Sequence, residues 1–253
     1  MLASTGVRSL FLAVRYLTIA PIPAGPHVEP ATLGRAAPWF PVIGLALGLA
    51  VAGVEWGTSL MFPPLLDALL AVTAWKLLTG GLHLDGLSDC LDGLVGRDAD
   101  DRLRIMHDSR IGAFGAIGLI LFLFLEVSAV YELPSGVRWR ALIVAPAVAR
   151  ALPPLVAWLF PPAMLVGQGA MFRSGLTRVG VLGALALALV IALAALGTIG
   201  LVAFAFAAVV TVSLAWFFVR RLGGVTGDVL GAGIEIGELI VLLTLVGWTG
   251  DRL

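Results

Sequence analysis

Seven apolar stretches, each close to the length that crosses a lipid bilayer, dominate this sequence. A hydrocarbon core about 30 Å thick is crossed by about 20 helical residues, and backbone groups in lipid must be satisfied within helices or closed barrels. The stretches are continuous and lack the alternation of barrel strands. The sequence therefore predicts an all-α, polytopic integral membrane helical bundle, one transmembrane domain over residues 1–253, with about seven transmembrane helices. The predicted spans are roughly 38–56, 60–78, 112–131, 141–160, 181–199, 200–219 and 233–249.

The composition supports this class. The chain is 60% hydrophobic and 13% charged, whereas soluble domains average about 45–50% apolar and about 25% charged residues. Formal net charge is zero, so there is no basic footprint for nucleic acid. The one cysteine, Cys90, excludes an intramolecular disulfide.

The N-terminal segment "SLFLAVRYLTIAPIPAG" contains an apolar run that Arg15 interrupts. A cleavable signal peptide would not normally carry a central arginine. We therefore expect an interfacial or re-entrant arm at the membrane surface.

Basic residues predict the orientation of the bundle, because they concentrate on the cytoplasmic side. If the N-terminal arm is cytoplasmic, eleven arginines fall on its side and three, Arg138, Arg140 and Arg252, on the other. The active-site loops 79–111 and 220–238 would then share the cytoplasmic face. The eleven are Arg8, Arg15, Arg35, Arg97, Arg102, Arg104, Arg110, Arg173, Arg178, Arg220 and Arg221.

The segment "GGLHLDGLSDCLDGLVGRDADDRLRIMHDSRIG" concentrates acid in an otherwise apolar chain. Asp85, Asp89 and Asp92 are spaced i, i+4 and i+7, which places them on one face of a helix. At about 6 Å and an effective dielectric near 20, each repulsion approaches roughly 3 kcal/mol. A divalent cation would relieve it, and all-oxygen ligands favour Mg²⁺ or Mn²⁺. The alternative is a solvated acidic loop without an ion; a soft-metal site that includes His83 and Cys90 is weakly indicated.

The next stretch, "RLRIMHDSRIGAFGAIG", combines acid, base and glycine. The aspartates within 98–101 are expected to cap a helix. Arg104 and Asp108 are spaced i,i+4 and could form a structural ion pair. Alternatively, Asp108 belongs to the site while Arg104 and Arg110 bind phosphate, for which arginine is suited. His107 is either a general base or an ordinary polar contact.

Downstream, "RRLGGVTGDVLGAGIEIGELIVLL" places Asp228 in a glycine-rich segment and Glu235 and Glu238 at the start of the last span. Carboxylates inside a membrane are functional candidates, because burying each charge is costly. The alternative for the glutamates is that they extend to the nearby interface.

Three strings in this order, "TGGLHLDGLSDCLDG", "IMHDSRIGAFGAIGL" and "LGGVTGDVLGAGIEIGEL", resemble the cobalamin synthase family, the adenosylcobinamide-GDP ribazoletransferases. The arm "RYLTIAPIPAG" and the following "WFPVIGLALG" are also similar to that family. Leu84 stands where some members carry glutamate, so position 84 is not expected to be a ligand.

The resemblance implies a Mg²⁺-dependent transferase in the cytoplasmic (inner) membrane of a bacterium or archaeon. Its partners would be adenosylcobinamide-GDP and α-ribazole or its 5′-phosphate, with release of GMP, and small-residue helix faces permit a homo-oligomer. We expect metal ligands at Asp85, Asp89 and Asp92, and catalytic groups among Asp92, Asp108 and His83. The expected substrate-binding residues are Arg104, Arg110, Thr226, Asp228, Glu235 and Glu238.

Two other functions are compatible with parts of the sequence. A CDP-alcohol phosphotransferase-like lipid enzyme would share Asp89, Asp92, Gly93 and Arg97, but position 96 is glycine and the downstream acid pair is missing. A secondary transporter would carry carboxylates near the bilayer midplane in internal repeats. Here the acids cluster at one face, without an evident repeat.

Overall fold

A computed structural model describes residues 2–21, 32–165 and 167–250. The described residues form α-helices and one 3-10 turn, with no strand beyond a single bridge between Pro162 and Val225. The predicted all-α class is confirmed. The helices are α1 (Leu2–Leu17), α2 (Thr32–Arg35), α3 (Phe40–Ser59), α4 (Pro64–Thr79), α5 (Leu82–Gly93), α6 (Ala99–Met106), α7 (Ala113–Glu132), α8 (Ser135–Leu159), α9 (Gln168–Ser174), α10 (Arg178–Leu196), α11 (Thr198–Leu222) and α12 (Gly227–Gly250).

Six of these helical segments are long and apolar enough to cross a membrane, and a seventh candidate is a broken pair. The six are α7, α8, α10, α11, α12 and the 23 residues Ala37–Ser59, which contain α3. The broken pair is α4 with α5, bent by 90°. The predicted count of about seven therefore agrees with the structure.

Three boundaries differ from the sequence prediction. The helix α8 begins at Ser135 rather than at 141. The predicted span 60–78 is the 16-residue helix α4, which continues after the bend as α5. The last helix begins at Gly227 rather than at 233. The glycine-rich start is helical because it packs closely on α5, as described below. The segments 79–111 and 220–238, expected as loops, are thus largely helical.

The α8 and α12 helices form the centre of the bundle, while α7, α10 and α11 leave much of their surface for lipid. The α3 helix packs tightly on α8 through Gly44, where a side chain would overlap the backbone at Pro146. The amphipathic α1 buries Ala13 and Leu17 against the bundle and leaves Arg15 exposed. The structure therefore holds the acid-bearing α5 between α7 and the central α12.

Candidate active site

The direction of α5 is set by two glycines that follow α4. Gly80 and Gly81 have φ values of 66° and 67°, a left-handed conformation that residues with a Cβ rarely adopt. Gly80 ends α4, its N–H bonding to the carbonyl of Leu77 at 3.0 Å, and α5 then leaves at a right angle. This turn brings α5 against the first turn of α12, with Asp85 and Asp89 lining cavities that they share with Asp228.

Close backbone packing places these acids beside Asp228. A Cβ added at Gly86 would lie 2.9 Å from both Cα and O of Asp228, so only glycine permits this approach. Asp85, Asp89 and Asp228 are within electrostatic range of one another. The predicted proximity of the two acidic motifs is thereby observed in the structure.

The start of α12 is fixed by local hydrogen bonds. Thr226 Oγ1 donates to a carboxylate oxygen of Asp228 at 3.2 Å and accepts from the N–H of Val229 at 3.2 Å. Val225 is held by two backbone hydrogen bonds of 2.9 Å, one to Pro161 and one from Ala163. Thr226 and Asp228 are therefore presented on a rigid turn.

Two cavities open beside these residues. The larger, about 380 Å³, is lined by Asp89, His107, Thr226 and Asp228 together with methionines and glycines. The smaller, about 70 Å³, is lined by Tyr16, His83, Asp85, Phe172 and Asp228 among others. Burial, with the neighbouring Asp228 carboxylate adding to it, raises the pKa of Tyr16 to about 12. The Tyr16 hydroxyl is thus a stable donor at this site.

The two histidines of the acidic segment, His83 and His107, differ in their surroundings. His83 is 3% exposed, and neither of its ring nitrogens has a hydrogen-bond partner among the described residues. His107 is exposed, and its Nδ1 lies 2.5 Å from the carbonyl oxygen of Leu103. A hydrogen bond there leaves Nε2 as the nitrogen available to the larger cavity.

Asp92 has different contacts from Asp85 and Asp89. Its two carboxylate oxygens accept hydrogen bonds of 2.8 Å from the backbone N–H groups of Gly112 and Gly115. These donors belong to the start of α7, where unpaired N–H groups and the helix dipole favour an anion. The structure gives Asp92 a capping role, and its metal-binding and catalytic roles stay predictions.

The arginines predicted to bind phosphate line neither of these two cavities; Arg110, with Asp92 and Asp108, lines a separate open cleft of about 530 Å³. Arg110 pairs with Asp108 through bonds of 2.7–3.2 Å and holds the pKa of that carboxyl at about 2. Arg104 contacts Asp101 at 2.5 Å. The suggested Arg104–Asp108 ion pair is therefore wrong, because each residue has a nearer partner. Capping by 98–101 is confirmed, since the Asp98 side chain accepts from the N–H of Asp101 at 2.9 Å.

Glu235 and Glu238 lie deeper than the sequence suggested. Both are 1% exposed or less. Because α12 begins at Gly227, they lie more than two turns into the helix and inside the bundle. Lys76 Nζ lies 2.6 Å from Glu235, 3.3 Å from Glu238 and 2.8 Å from Glu126. Arg150, fully buried, lies 2.5 Å from Glu238. We call these five residues the inner ion network.

This network corrects the interpretation of the two glutamates as residues near the interface. Both form ion pairs with cations of the chain itself, and neither residue lines either cavity. The substrate-binding role predicted for them has no contact in its favour. Sequence reasoning missed Lys76, Glu126 and Arg150 as partners; the available signal was charges of both signs within apolar spans.

A second buried cluster, the outer ion network, lies at the other end of α4. Arg138 is 3.3 Å from Asp67 and 3.5 Å from Glu55, and Thr58 donates to Asp67 at 2.5 Å. Asp67 precedes Lys76 by nine residues on the same helix, or roughly 14 Å. This cluster therefore resembles the inner ion network chemically but is remote from the cavities.

Comparison with known proteins bears on these features. The family model described as "Cobalamin-5-phosphate synthase" matches residues 9–246. Similar proteins named "Adenosylcobinamide-GDP ribazoletransferase" include one from a Roseiflexus strain, 39% identical over 92% of this chain and 87% of its own. Others come from Geotalea daltonii, 37% identical over 96% and 99%, and Klebsiella pneumoniae, 38% identical over 95% and 100%. No solved structure matches the chain.

The match covers nearly the whole chain, including the acidic motif on α5 and the glycine-rich start of α12. It confirms the resemblance seen in the three sequence strings and favours it over the lipid-enzyme and transporter alternatives. The relatives carry the name of an enzyme, a transferase. This chain belongs to the cobalamin-5-phosphate synthase family.

Proposed function

We propose that this enzyme joins adenosylcobinamide-GDP to α-ribazole, or to its 5′-phosphate, with release of GMP at the cytoplasmic face of the inner membrane. The names of its relatives support the reaction class. The observation that carries the proposal is a contrast between two groups of carboxylates, one ion-paired with the chain's own cations and one not.

The ion-paired group is the inner ion network, where Lys76 and Arg150 contact the glutamates directly. The other group consists of Asp85, Asp89 and Asp228. Within the described part of the chain, none of these three forms a salt bridge. They line cavities that can hold a substrate and an external cation, and this cation can neutralise their charge in place of a basic side chain.

The donor set fits Mg²⁺. Asp85, Asp89 and Asp228 offer only carboxylate oxygens, the ligands that this ion prefers, and Asp89 and Asp228 are partly buried. When bound, Mg²⁺ would supply positive charge to the diphosphate of the substrate. Asp228 is oriented for this by Thr226, whose hydroxyl is fixed by the backbone of Val229.

In the reaction, a hydroxyl oxygen of the riboside forms a bond to the phosphorus attached to cobinamide. The bond from that phosphorus to the oxygen of GMP breaks, GMP keeps the electron pair, and the proton of the hydroxyl ends on the released phosphate. Such transfers depend on positioning and on charge stabilisation.

Different residues of the chain position the acidic groups and the substrates. Thr226 holds Asp228, the left-handed turn at Gly80 and Gly81 directs Asp85 and Asp89, and the cavities limit where each substrate can lie. Of the three predicted catalytic residues, His83 lines a cavity together with Asp85 and Asp228. Asp108, held ionised by Arg110, is a weak base.

The test is GMP release by purified protein given adenosylcobinamide-GDP and α-ribazole, with and without Mg²⁺. We expect Asp85→Asn and Asp89→Asn to lower kcat by about two orders of magnitude or more, the usual scale for losing electrostatic stabilisation of a transition state. Asp100→Asn, an exposed acid on α6 outside both cavities, is the matched control. Unchanged, Mg²⁺-dependent GMP release by Asp85→Asn would reject this assignment.

A further inference from the structure

The two cavities meet at the first turn of α12. Leu82, Gly227 and Asp228 line both of them. An enzyme that joins two molecules needs two subsites that meet where the new bond forms. The geometry therefore raises the question of which substrate each cavity receives.

Size separates the two cavities. The smaller has a volume of about 70 Å³, and each water in the liquid occupies about 30 Å³. It admits a hydroxyl group and the carbon that bears it, but not a diphosphate. The larger, about 380 Å³, falls within the range of ordinary ligand clefts, about 300–1,000 Å³.

The imidazole of His83 in the smaller cavity lacks hydrogen-bond partners within the described part of the chain. His83 is 3% exposed, and both its nitrogens are without a partner among the described residues. A neutral imidazole offers one donor and one acceptor, and leaving either unpaired when buried costs about 1–3 kcal/mol. A hydroxyl can pair with whichever of these nitrogens faces the cavity, because it both donates and accepts, whereas an ionised phosphodiester can only accept from the protonated one.

The remaining walls of the smaller cavity suit the carbon that bears the attacking hydroxyl. The rings of Tyr16 and Phe172 are stacked, with centroids 6.3 Å apart and planes 13° apart. Pro153 and Ile234 add further apolar groups to the lining. Aromatic and aliphatic walls of this kind are the usual surroundings of the carbon atoms of a bound ligand.

We infer that the smaller cavity is the subsite for the attacking hydroxyl of the acceptor nucleoside, and that the larger cleft receives the diphosphate of the donor. Asp228 lies between them, at the position where acceptor oxygen and phosphorus meet. This assignment rests on the proposed function and adds to it the place of each substrate.

Two glycines allow a matched test. A Cβ at Gly231 would project into the smaller cavity at 3.5–3.8 Å from His83, and a Cβ at Gly169, in the larger cleft, would lie at 3.4–3.8 Å from the segment 225–227. These are ordinary contact distances, so Gly231→Ala and Gly169→Ala each add one methyl group without forcing the backbone to move.

For each variant, KM for α-ribazole and for adenosylcobinamide-GDP is measured by GMP release, and the affinity for α-ribazole by calorimetry. We expect Gly231→Ala to raise the KM and Kd for α-ribazole about fivefold or more, the lower end of the cost of overfilling a packed site. Its KM for adenosylcobinamide-GDP stays within about twofold of wild type. Gly169→Ala leaves α-ribazole binding unchanged.

A reversed pattern, in which Gly231→Ala weakens adenosylcobinamide-GDP and spares α-ribazole, would overturn the subsite assignment, as would an unchanged KM for both substrates. His83→Leu gives a second reading: we expect weakened α-ribazole binding with the affinity for adenosylcobinamide-GDP retained. Absence of GMP release from the wild-type protein would instead reject the proposed function itself, so the two failures are distinguishable.

Discussion

Replacing Lys76 with methionine removes a cation that contacts three buried carboxylates. Its ammonium lies at 2.6, 2.8 and 3.3 Å from Glu235, Glu126 and Glu238, while methionine keeps most of the side-chain volume. The network carries three formal negative charges and two positive ones, and the substitution changes its net charge from −1 to −2. Removing one partner of a buried ion pair costs about 3–5 kcal/mol.

The loss is measured by thermal unfolding of the purified protein in lipid nanodiscs, followed by circular dichroism. For a chain of this length, about 2–4 °C per kcal/mol gives a decrease in Tm of roughly 6–20 °C. The double variant Lys76→Met/Glu235→Gln restores the net charge of −1 and should recover about half of the loss, since much of the cost of a broken pair is the uncompensated charge.

Arg138→Met in the outer ion network is the matched control. It also leaves buried carboxylates unpaired, so we expect a comparable loss of stability. Because the outer network is remote from both cavities, residual GMP release at low temperature should keep wild-type KM values. A Tm of Lys76→Met within about 2 °C of wild type, equivalent to less than about 1 kcal/mol, would refute the view that Lys76 balances the buried carboxylates.

Three further predictions concern helix capping, packing and ionisation. Asp92→Ala removes the acceptor for two N–H groups of α7 and should lower the unfolding free energy by about 2 kcal/mol; an unchanged Tm would show that the cap is dispensable. Gly44→Ala places a methyl group 2.7 Å from Cα of Ala147 and should cost about 3 kcal/mol or prevent folding. The same change at Gly53, where nothing lies within 4 Å, should alter stability by less than about 1 kcal/mol. Because the pKa of Tyr16 is raised to about 12, its contribution to stability is present below pH 10 and lost between about pH 10 and 12; phenolate absorbance should show a step near pH 12 that Tyr16→Phe lacks.

Apolar length was sufficient to predict most of the fold. The spans at 112–131, 141–160 and 200–219 correspond to α7, α8 and α11 within a few residues, except at the start of α8, because continuous apolar runs in lipid have few alternatives to helix. The broken second span was not predicted. The pair Gly80-Gly81 can end a helix or link two helices, and only tertiary packing decides the angle between them.

The acidic site was predictable in part. The i, i+4, i+7 spacing correctly indicated a helix carrying Asp85, Asp89 and Asp92, but spacing cannot say which neighbour each side chain meets. Asp92 faces α7, while Asp85 and Asp89 line cavities that they share with Asp228 of α12. The contacts of the inner ion network could not be predicted from the sequence for the same reason, since Lys76, Glu126 and Arg150 belong to three different helices.

The glycine turn between α4 and α5 has an implication for how relatives of this chain can diverge. Gly81 has a left-handed backbone and open space where a side chain would begin, so any larger residue there would strain the backbone without meeting a neighbour. The direction of the α5 axis is thus set by residues that carry no functional group. Substitutions at this turn can therefore change the angle between α4 and α5 while every acidic residue is retained. The geometry of the site can diverge among relatives without any change in its reactive groups.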